Sequence, residues 1–258
     1  MTVKVRSNGQ SLDDYIREAA VFNSKASDLA EVEPSYYPGV SNGYPPDDIV
    51  LNGLVLNVPL WQFRGSKFKS IDPYHHTCTV TGATWGLQGR TFDGIDDYIT
   101  IPDAPSLYLN KNFTIIWQGK KTAAGNQAVV TKDTPTGNQR EWGAWFNGAL
   151  KAYFEIGGDG TTLTSADTSN TALSLDVFYQ LTYMGDGTNL SLFVNGVLDN
   201  TPSALPASVF DSTSPIYIGT RAGGELFIGT TGEVLIYNRA LSLAEIQQIY
   251  LATKWRYQ

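Results

Sequence analysis

Cysteine and histidine are scarce in this chain of 258 residues, which contains one cysteine and two histidines. Cys78 has no second cysteine to pair with, and a lone cysteine in a β-like run is more often a small buried apolar side chain than a nucleophile. His75 and His76 are adjacent, so an extended backbone would direct them to opposite sides. The sequence therefore suggests no Cys–His or Ser–His–Asp arrangement and no histidine or cysteine metal site.

Charge is also limited, because only 17% of the residues are Asp, Glu, Lys or Arg and the formal net charge is −7. The basic residues are scattered apart from the small group Arg64, Lys67 and Lys69, which argues against nucleic acid or an anionic membrane surface as the main partner. No run of about 18 apolar residues occurs, so no membrane span is predicted. The N-terminal residues lack the apolar core of a signal peptide, and we expect synthesis in a cytoplasm, with any role outside the cell reached by lysis or by assembly into a particle.

The chain divides near residue 49 into an N-terminal arm, residues 1–48, and a larger domain, residues 49–258. The arm contains the stretch SLDDYIREAAVF, in which Leu12, Tyr15, Ile16 and Ala19 share one face at helical spacing. A connector rich in Pro, Gly and Tyr follows. A helix of about three turns needs a surface to lie on. An unstructured tail is one interpretation, and we favour the other, a docking arm that binds a neighbouring subunit of a particle or homo-oligomer through those four residues.

The larger domain is typical of an all-β protein. FTIIWQG and VFYQLTY alternate in the manner of strands, and Asn-Gly pairs at residues 147–148 and 195–196 predict two-residue hairpins. The stretch LSLAEIQQIY near the end predicts a helix, for which Ser242 and Glu245 form a capping box. The pattern predicts a two-sheet antiparallel jelly-roll sandwich with a C-terminal helix.

Several motifs in this domain resemble a known family. They are GLVLNVPLW, GRTFDGIDDYITIPDAPSL, FTIIWQG, VFYQLTYMGDGTNLSLFVNG, PIYIGTR and FIGTTGEVLIYNRALSLAEIQQIY. Their order and content resemble the laminin G-like members of the concanavalin A-like lectin/glucanase superfamily, over roughly 205 residues. The resemblance implies two antiparallel sheets packed face to face and a binding role toward sugars, receptors or neighbouring subunits. It also implies, for some members, a calcium ion at the rim.

A calcium site has one candidate in the stretch DGIDDY, where Asp93, Asp96 and Asp97 lie within five residues. Calcium takes six to eight oxygen ligands, so backbone carbonyls and water would complete the set. The alternative is a structural turn at Asp93-Gly94, because Asp side chains accept hydrogen bonds from turn backbone groups. One departure from the family weakens a metal role elsewhere: the last long strand keeps only Glu233 where the family commonly has two acidic residues.

Catalysis is not expected, although the resembled superfamily includes glycoside hydrolases. Retaining enzymes need two carboxyl groups about 5–5.5 Å apart, and inverting enzymes need them about 6.5–9.5 Å apart. The resemblance implies a Glu-x-Asp-x-x-Glu pattern on one strand, and none occurs in this sequence. Glu155 and Asp159 are four residues apart, but two glycines separate them.

A ligand-binding face follows from the hairpin predicted at residues 147–148. With a two-residue turn, Trp142 lies opposite Tyr153, and both share an outer face with Lys151 and Glu155. Aromatic rings beside charged groups are suited to stacking with a sugar ring. The alternative is a cross-strand aromatic pair that only stabilises the sheet. Arg221, in the loop after YIGT, is a further rim candidate.

Three functions are consistent with these patterns. The first is a non-enzymatic structural or decoration protein of a virus particle such as a phage, with the jelly roll on the virion surface and the arm as its anchor. The second is a carbohydrate-binding adhesin or lectin module that binds a cell-surface glycan. The third is a glycan-cleaving enzyme, which would require a carboxylate pair that the sequence does not display.

Overall fold

A computed structural model describes residues 50–163, 165–222 and 224–257. Within these residues the chain forms two antiparallel sheets, one α-helix and two short 3₁₀ turns, Pro105–Leu107 and Lys254–Arg256. The helix is α1 (Leu243–Thr253). The strands are, in chain order, β1 (Leu54–Pro59), β2 (Lys67–Lys69), β3 (Thr77–Thr81), β4 (Thr84–Gly86), β5 (Gly89–Asp93), β6 (Tyr98–Ile101), β7 (Asn112–Lys121), β8 (Gln127–Thr134), β9 (Gln139–Phe146), β10 (Ala152–Gly160), β11 (Ser165–Thr168), β12 (Tyr179–Asp186), β13 (Asn189–Val194), β14 (Val197–Leu198), β15 (Ser203–Ala204), β16 (Ile216–Ile218) and β17 (Ile228–Tyr237).

The two sheets form the predicted sandwich. The first sheet has nine strands and the order β14-β13-β12-β7-β17-β5-β4, with β1 paired to β17 and β15 paired to β13. The second sheet has eight strands in the order β11-β10-β9-β8-β16-β6-β3-β2. β7 therefore lies between β12 and β17, which are distant in sequence. The jelly-roll prediction is confirmed.

The core lies between the sheets and is rich in aromatic side chains. Trp117 of the first sheet contacts Phe146 and Phe227 edge-on, and its indole N–H donates to the Thr231 hydroxyl at 3.0 Å. Alternation along each strand explains this placement, since every second residue faces the partner sheet. Cys78 is also buried in this core, as the sequence predicts.

The hairpin predicted at residues 195–196 is confirmed. β13 ends at Val194 and pairs with Val197 of β14, which leaves Asn195 and Gly196 as a two-residue turn. Both turn residues have positive φ, 52° and 78°, as this tight turn requires.

The hairpin predicted at residues 147–148 has a different loop, and its predicted register was wrong. The Asn147 side-chain oxygen accepts hydrogen bonds from the backbone N–H groups of Ala149 and Lys151, both at 3.0 Å. These contacts stabilise a five-residue loop, residues 147–151, so that Tyr153 pairs with Trp145 and not with Trp142. The shift is an odd number of residues, and an odd shift exchanges the two faces of a strand relative to its partner.

Helix α1 packs on the face of the first sheet that points away from the core. Its Ile246 and Ile249 form a second apolar cluster with residues of the sheet that include Ile116 and Leu235. The predicted capping box is confirmed, with Ser242 accepting from the Glu245 backbone N–H and Glu245 accepting from that of Ser242. Arg239 holds Glu245 at 2.6 Å and fixes the start of the helix to the end of β17.

We expect the stability supplied by Glu245 to depend on pH. Hydrogen bonds from Arg239 lower the pKa of this carboxyl from 4.5 to about 2. Since the folded-state pKa is the lower one, the contribution is complete above pH 4.5 and is lost as the pH falls towards 2. Glu245→Gln keeps the capping geometry and should lower the free energy of unfolding by about 1 kcal/mol at neutral pH. Urea unfolding of both proteins across this pH range tests the prediction, and a difference that stayed constant with pH would contradict it.

No helix among the described residues is long and apolar enough to cross a membrane. The predicted docking residues Leu12, Tyr15, Ile16 and Ala19 lie outside the described residues.

Candidate functional site

The three predicted calcium ligands come together in the turn between β5 and β6. Asp93, Asp96 and Asp97 each place an oxygen atom within 4.8 Å of the others. Two of them also bond the turn itself: Asp93 Oδ1 accepts from the Ile95 N–H at 2.8 Å, and Asp97 Oδ2 accepts from the Asp93 N–H at 2.8 Å. The structural role of the turn is therefore visible in the hydrogen bonds. Calcium binding stays a prediction, because three neighbouring carboxylates supply only part of a calcium ligand set.

Glu233, the acidic residue that remains in the last strand, has another role. It is buried, and the guanidinium of Arg256 approaches its carboxylate at 3.0 Å. The same guanidinium lies over the Trp61 ring, 4.7 Å from its centroid. Glu233 thus attaches the C-terminal segment to the first sheet.

An aromatic pair lies on the outer face of the second sheet, the face that points away from the core. Tyr153 of β10 stacks on Trp145 of β9, with ring centroids 6.1 Å apart and planes at 16°. The Trp145 indole lies over Gly143, where any side chain would collide with the ring. Tyr153 and the Arg221 guanidinium cover the indole, so Trp145 is 2% exposed while Tyr153 is half-buried and faces solvent.

Charged groups surround this pair. Arg221 Nε lies 2.9 Å from Asp133 Oδ2. The two groups form an ion pair, but the angle between the N–H bond and the carboxylate oxygen is not that of a hydrogen bond. Burial raises the pKa of Asp133, and Arg221 acts against that shift. Burial also raises the pKa of Glu155, with a further contribution from the nearby Asp133 carboxylate. The pKa of Tyr153 rises to about 12, first through burial and then through Glu155.

A cleft of about 510 Å³ adjoins this group on the same face. Tyr98 of β6 and Tyr217 of β16 line it, with ring centroids 6.5 Å apart in an edge-to-face arrangement. Asp96, from the acidic turn, also lines it, together with four residues of the loop after β16: Thr220, Ala222, Gly224 and Leu226. Both tyrosines are half-buried, so part of each ring is accessible from the cleft.

We name this region the outer-face site. It comprises the cleft and the charged group beside it, with the following side chains: Tyr98, Tyr217, Asp96, Tyr153, Glu155, Arg221 and Asp133.

Two of the predicted ligand-binding residues lie in this site, and a third lies in the core. Tyr153 lies on the outer face, and Arg221 lies on the adjoining loop. Lys151 belongs to the loop before β10. Trp142 was predicted on the outer face, and this placement was wrong: it is fully buried in the core, where it stacks on Phe154 at 6.1 Å. The five-residue loop is the physical reason, because it reverses the faces of β9 relative to the prediction.

Sequence reasoning missed Tyr98, Tyr217 and Asp133. A signal for the tyrosines was present, because each alternates with buried isoleucines in a short strand, which directs it away from the core. No comparable signal marks Asp133. Its contact with Arg221 joins residues 88 positions apart, and only the fold brings them together.

A jelly-roll sandwich of two antiparallel sheets is a lectin-like fold. The chain belongs to the concanavalin A-like lectin/glucanase superfamily, since a laminin G model of that superfamily matches residues 93–247, more than half of the chain. No curated protein matches the sequence.

Three solved structures that share this fold belong to longer chains. The sialidase of Trypanosoma rangeli matches with a TM-score of 0.63 and 18% identity, over 95% of this chain and 40% of the sialidase. The binding domain of botulinum neurotoxin serotype G matches with a TM-score of 0.62 and 13% identity, over 78% of this chain and 51% of that one. The binding domain of Paraclostridial Mosquitocidal Protein 1 matches with a TM-score of 0.61 and 14% identity, over 78% and 52%. At these identities the likeness is one of fold, and the chain spans about half or less of each protein.

Proposed function

We propose that this protein is a non-enzymatic carbohydrate-binding module and that the outer-face site binds the glycan. The observation that carries the proposal is the cleft in which two accessible tyrosine rings, Tyr98 and Tyr217, stand beside the carboxylate of Asp96. Binding sites for small molecules are typically concave, with apolar walls and a few well-placed polar groups.

The chemistry of the site suits a sugar. The face of a sugar ring that carries C–H groups can pack on an aromatic ring, and its hydroxyl groups donate to carboxylates and accept from a guanidinium. The outer-face site offers Glu155 and Asp96 as acceptors and Arg221 as a donor. The ion pair with Asp133 and the contact with Trp145 hold Arg221 in place, which reduces the entropy that binding would cost.

The structural relatives support a binding role. The Trypanosoma rangeli sialidase has been solved in complex with sialic acid, and the region of botulinum neurotoxin type G that shares this fold is a receptor binding domain. A shared fold does not by itself transfer a ligand, so the support is general.

Display on a virus particle is the second proposal and is compatible with the first. It depends on the amphipathic stretch at residues 11–22. Many copies of a weak glycan-binding domain on one particle would gain affinity through multivalency.

We expect Tyr217→Ala to weaken glycan binding by about tenfold, which corresponds to about 1.4 kcal/mol, because the substitution removes an aromatic wall of the cleft. A broad glycan panel first identifies the best ligand. The measurement is then a calorimetric titration of the full chain with that ligand. Tyr74→Ala is the matched control, since Tyr74 is an exposed tyrosine outside the outer-face site. Addition of a chelator to the same titration tests whether calcium at the acidic turn contributes.

Three outcomes would contradict the proposal. They are the absence of binding to every glycan in the panel, an equal effect of Tyr217→Ala and Tyr74→Ala, and the release of products from a polysaccharide panel. The last result would make the protein an enzyme, with Asp133 and Glu155 as the first carboxylates to replace.

A further inference from the structure

A second pocket lies on the opposite side of the sandwich, on the outer face of the first sheet. Its volume is about 460 Å³, within the range of small-molecule sites. Gln118 of β7 and Gln180 of β12 line it, together with the C-terminal end of α1 and the loop before β12. The two sheets and the core separate it from the outer-face site.

Hydrogen bonds hold the polar lining of this pocket in place. Gln118 Nε2 donates to Gln180 Oε1 at 3.1 Å and to Thr253 Oγ1 at 2.6 Å. Thr253 donates in turn to the Ile249 carbonyl at 2.6 Å, so its hydroxyl proton is already used. Gln118 is 2% exposed, and in the part of the chain that the structure describes its Oε1 has no hydrogen-bond partner. A buried acceptor of this kind gains from a donor that enters the pocket.

Positive charge is concentrated at this pocket, in contrast to the net charge of −7 for the chain. Lys120 and Lys254 both line it, and Asp176 is the one acidic side chain among its described lining residues. The Lys120 ammonium lies 5.5 Å from the centroid of Phe178, and the Lys254 ammonium lies 5.6 Å from that of Tyr250. Aromatic rings orient the two ammonium groups without neutralising them.

An apolar wall completes the pocket. Phe178 stacks on Tyr257 with centroids 4.7 Å apart and planes at 10°, and Val177 beside them is 44% exposed. The wall offers a surface for the C–H face of a ring, while the lysines offer partners for an anion and the amides offer partners for hydroxyl groups.

We infer that this pocket, which we name the lysine pocket, is a second carbohydrate site that takes a carboxylated monosaccharide. The carboxylate would bind between Lys120 and Lys254, and the ring would pack on Phe178 and Val177. A neutral sugar would leave both ammonium groups unpaired, so the pocket favours the acid over its neutral analogues. The inference does not depend on the outer-face site.

The test titrates the full chain with glucuronic acid, with its neutral methyl ester and with N-acetylneuraminic acid. NMR measures the binding of each probe. Glucuronic acid is expected to bind saturably, and the methyl ester to bind about tenfold more weakly because it lacks the charge. Lys120→Gln should weaken acid binding by about tenfold, whereas the exposed-lysine control Lys67→Gln should not change it. The relative affinities of the two acids show which class of carboxylated sugar fits.

Tyr217→Ala separates the two sites, since it should leave binding of the acids unchanged. Equal affinity for acid and ester, or equal effects of Lys120→Gln and Lys67→Gln, would overturn the inference. A failure of both acids to bind would also overturn it. Thermal melting checks that each variant is folded. Lys254→Gln provides a second variant should Lys120→Gln disturb the fold, and shifts of the backbone amides around Asn195 and Lys254 should locate the ligand.

Discussion

Replacing Trp142 by alanine is expected to lower the free energy of unfolding by about 4 kcal/mol and to leave glycan affinity unchanged. The side chain is fully buried and stacks on Phe154, so alanine would leave a large cavity between the sheets. Filling that cavity would require the surrounding aromatic side chains to move, and protein cores relax only partially around such deletions. Urea unfolding measures the first effect, and a glycan titration at a temperature where the variant is folded measures the second.

Trp142→Phe is the matched control. It keeps an aromatic ring against Phe154 and removes the indole N–H, for which the described residues provide no hydrogen-bond partner. The cavity left by phenylalanine is much smaller than that left by alanine, so the loss of stability should be less than half of that of Trp142→Ala. A Trp142→Ala protein of unchanged stability that no longer bound glycan would restore the outer-face position that the sequence suggested and would contradict the structure.

Replacing Glu141 by glutamine is expected to lower the free energy of unfolding by about 3 kcal/mol, because it removes the carboxylate closest to a buried cation. Glu141 and Lys132 are both fully buried and lie 2.5 Å apart. Glu141 also accepts hydrogen bonds from the backbone N–H groups of Leu109 and Ser212, at 3.3 and 3.1 Å. The pair thus joins β8 and β9 to two loops at one end of the sandwich. Asp103, 3.1 Å from Lys132 and partly exposed, limits the loss.

Glu155→Gln supplies the control for this substitution. Glu155 lies on β10, next to β9, and its carboxylate is half-buried. Burial and the Asp133 carboxylate affect its pKa more than the nearby Arg221 does. Burial and the nearby Asp133 raise its pKa, which means that the folded protein disfavours the charged form. Neutral glutamine should therefore leave stability unchanged or slightly higher. Urea unfolding at neutral pH should separate the two variants, and equal losses would argue against a special role for the Lys132–Glu141 pair.

Hairpins show how far the sequence could predict the fold. The Asn195-Gly196 pair gave the correct two-residue turn because both residues accept positive φ at little cost and the flanking valines can pair directly. The same dipeptide at residues 147–148 gave the wrong turn. There the Asn147 side chain bonds backbone groups up to four residues further on and stabilises a longer loop. Leu150 in that loop has a φ of 61°, a conformation that no local pattern predicts for leucine.

The candidate site was predicted only in part for the same reason. Tyr153 and Arg221, which were predicted as ligand-binding residues, both lie in the outer-face site, and their role there stays a prediction. Trp142 was placed on the wrong face, because one loop length decides the face of a whole strand. Asp133 could not be predicted, since its position beside Arg221 depends on the pairing of β8 with β16. The lysine pocket likewise forms where α1 and the residues after it cross strands that are more than 60 positions earlier in the chain.

The sequence by itself determined the class of fold, the C-terminal helix with its capping box, the burial of Cys78 and the acidic turn between β5 and β6. Each of these depends on local periodicity or on contacts within a few residues. Tertiary structure alone decided which aromatic rings face solvent, which carboxylates meet arginine or lysine, and where the clefts form. Those properties depend on contacts between distant parts of the chain, through strand register and loop geometry. A change of register by one residue is enough to turn every side chain of a strand to the opposite face.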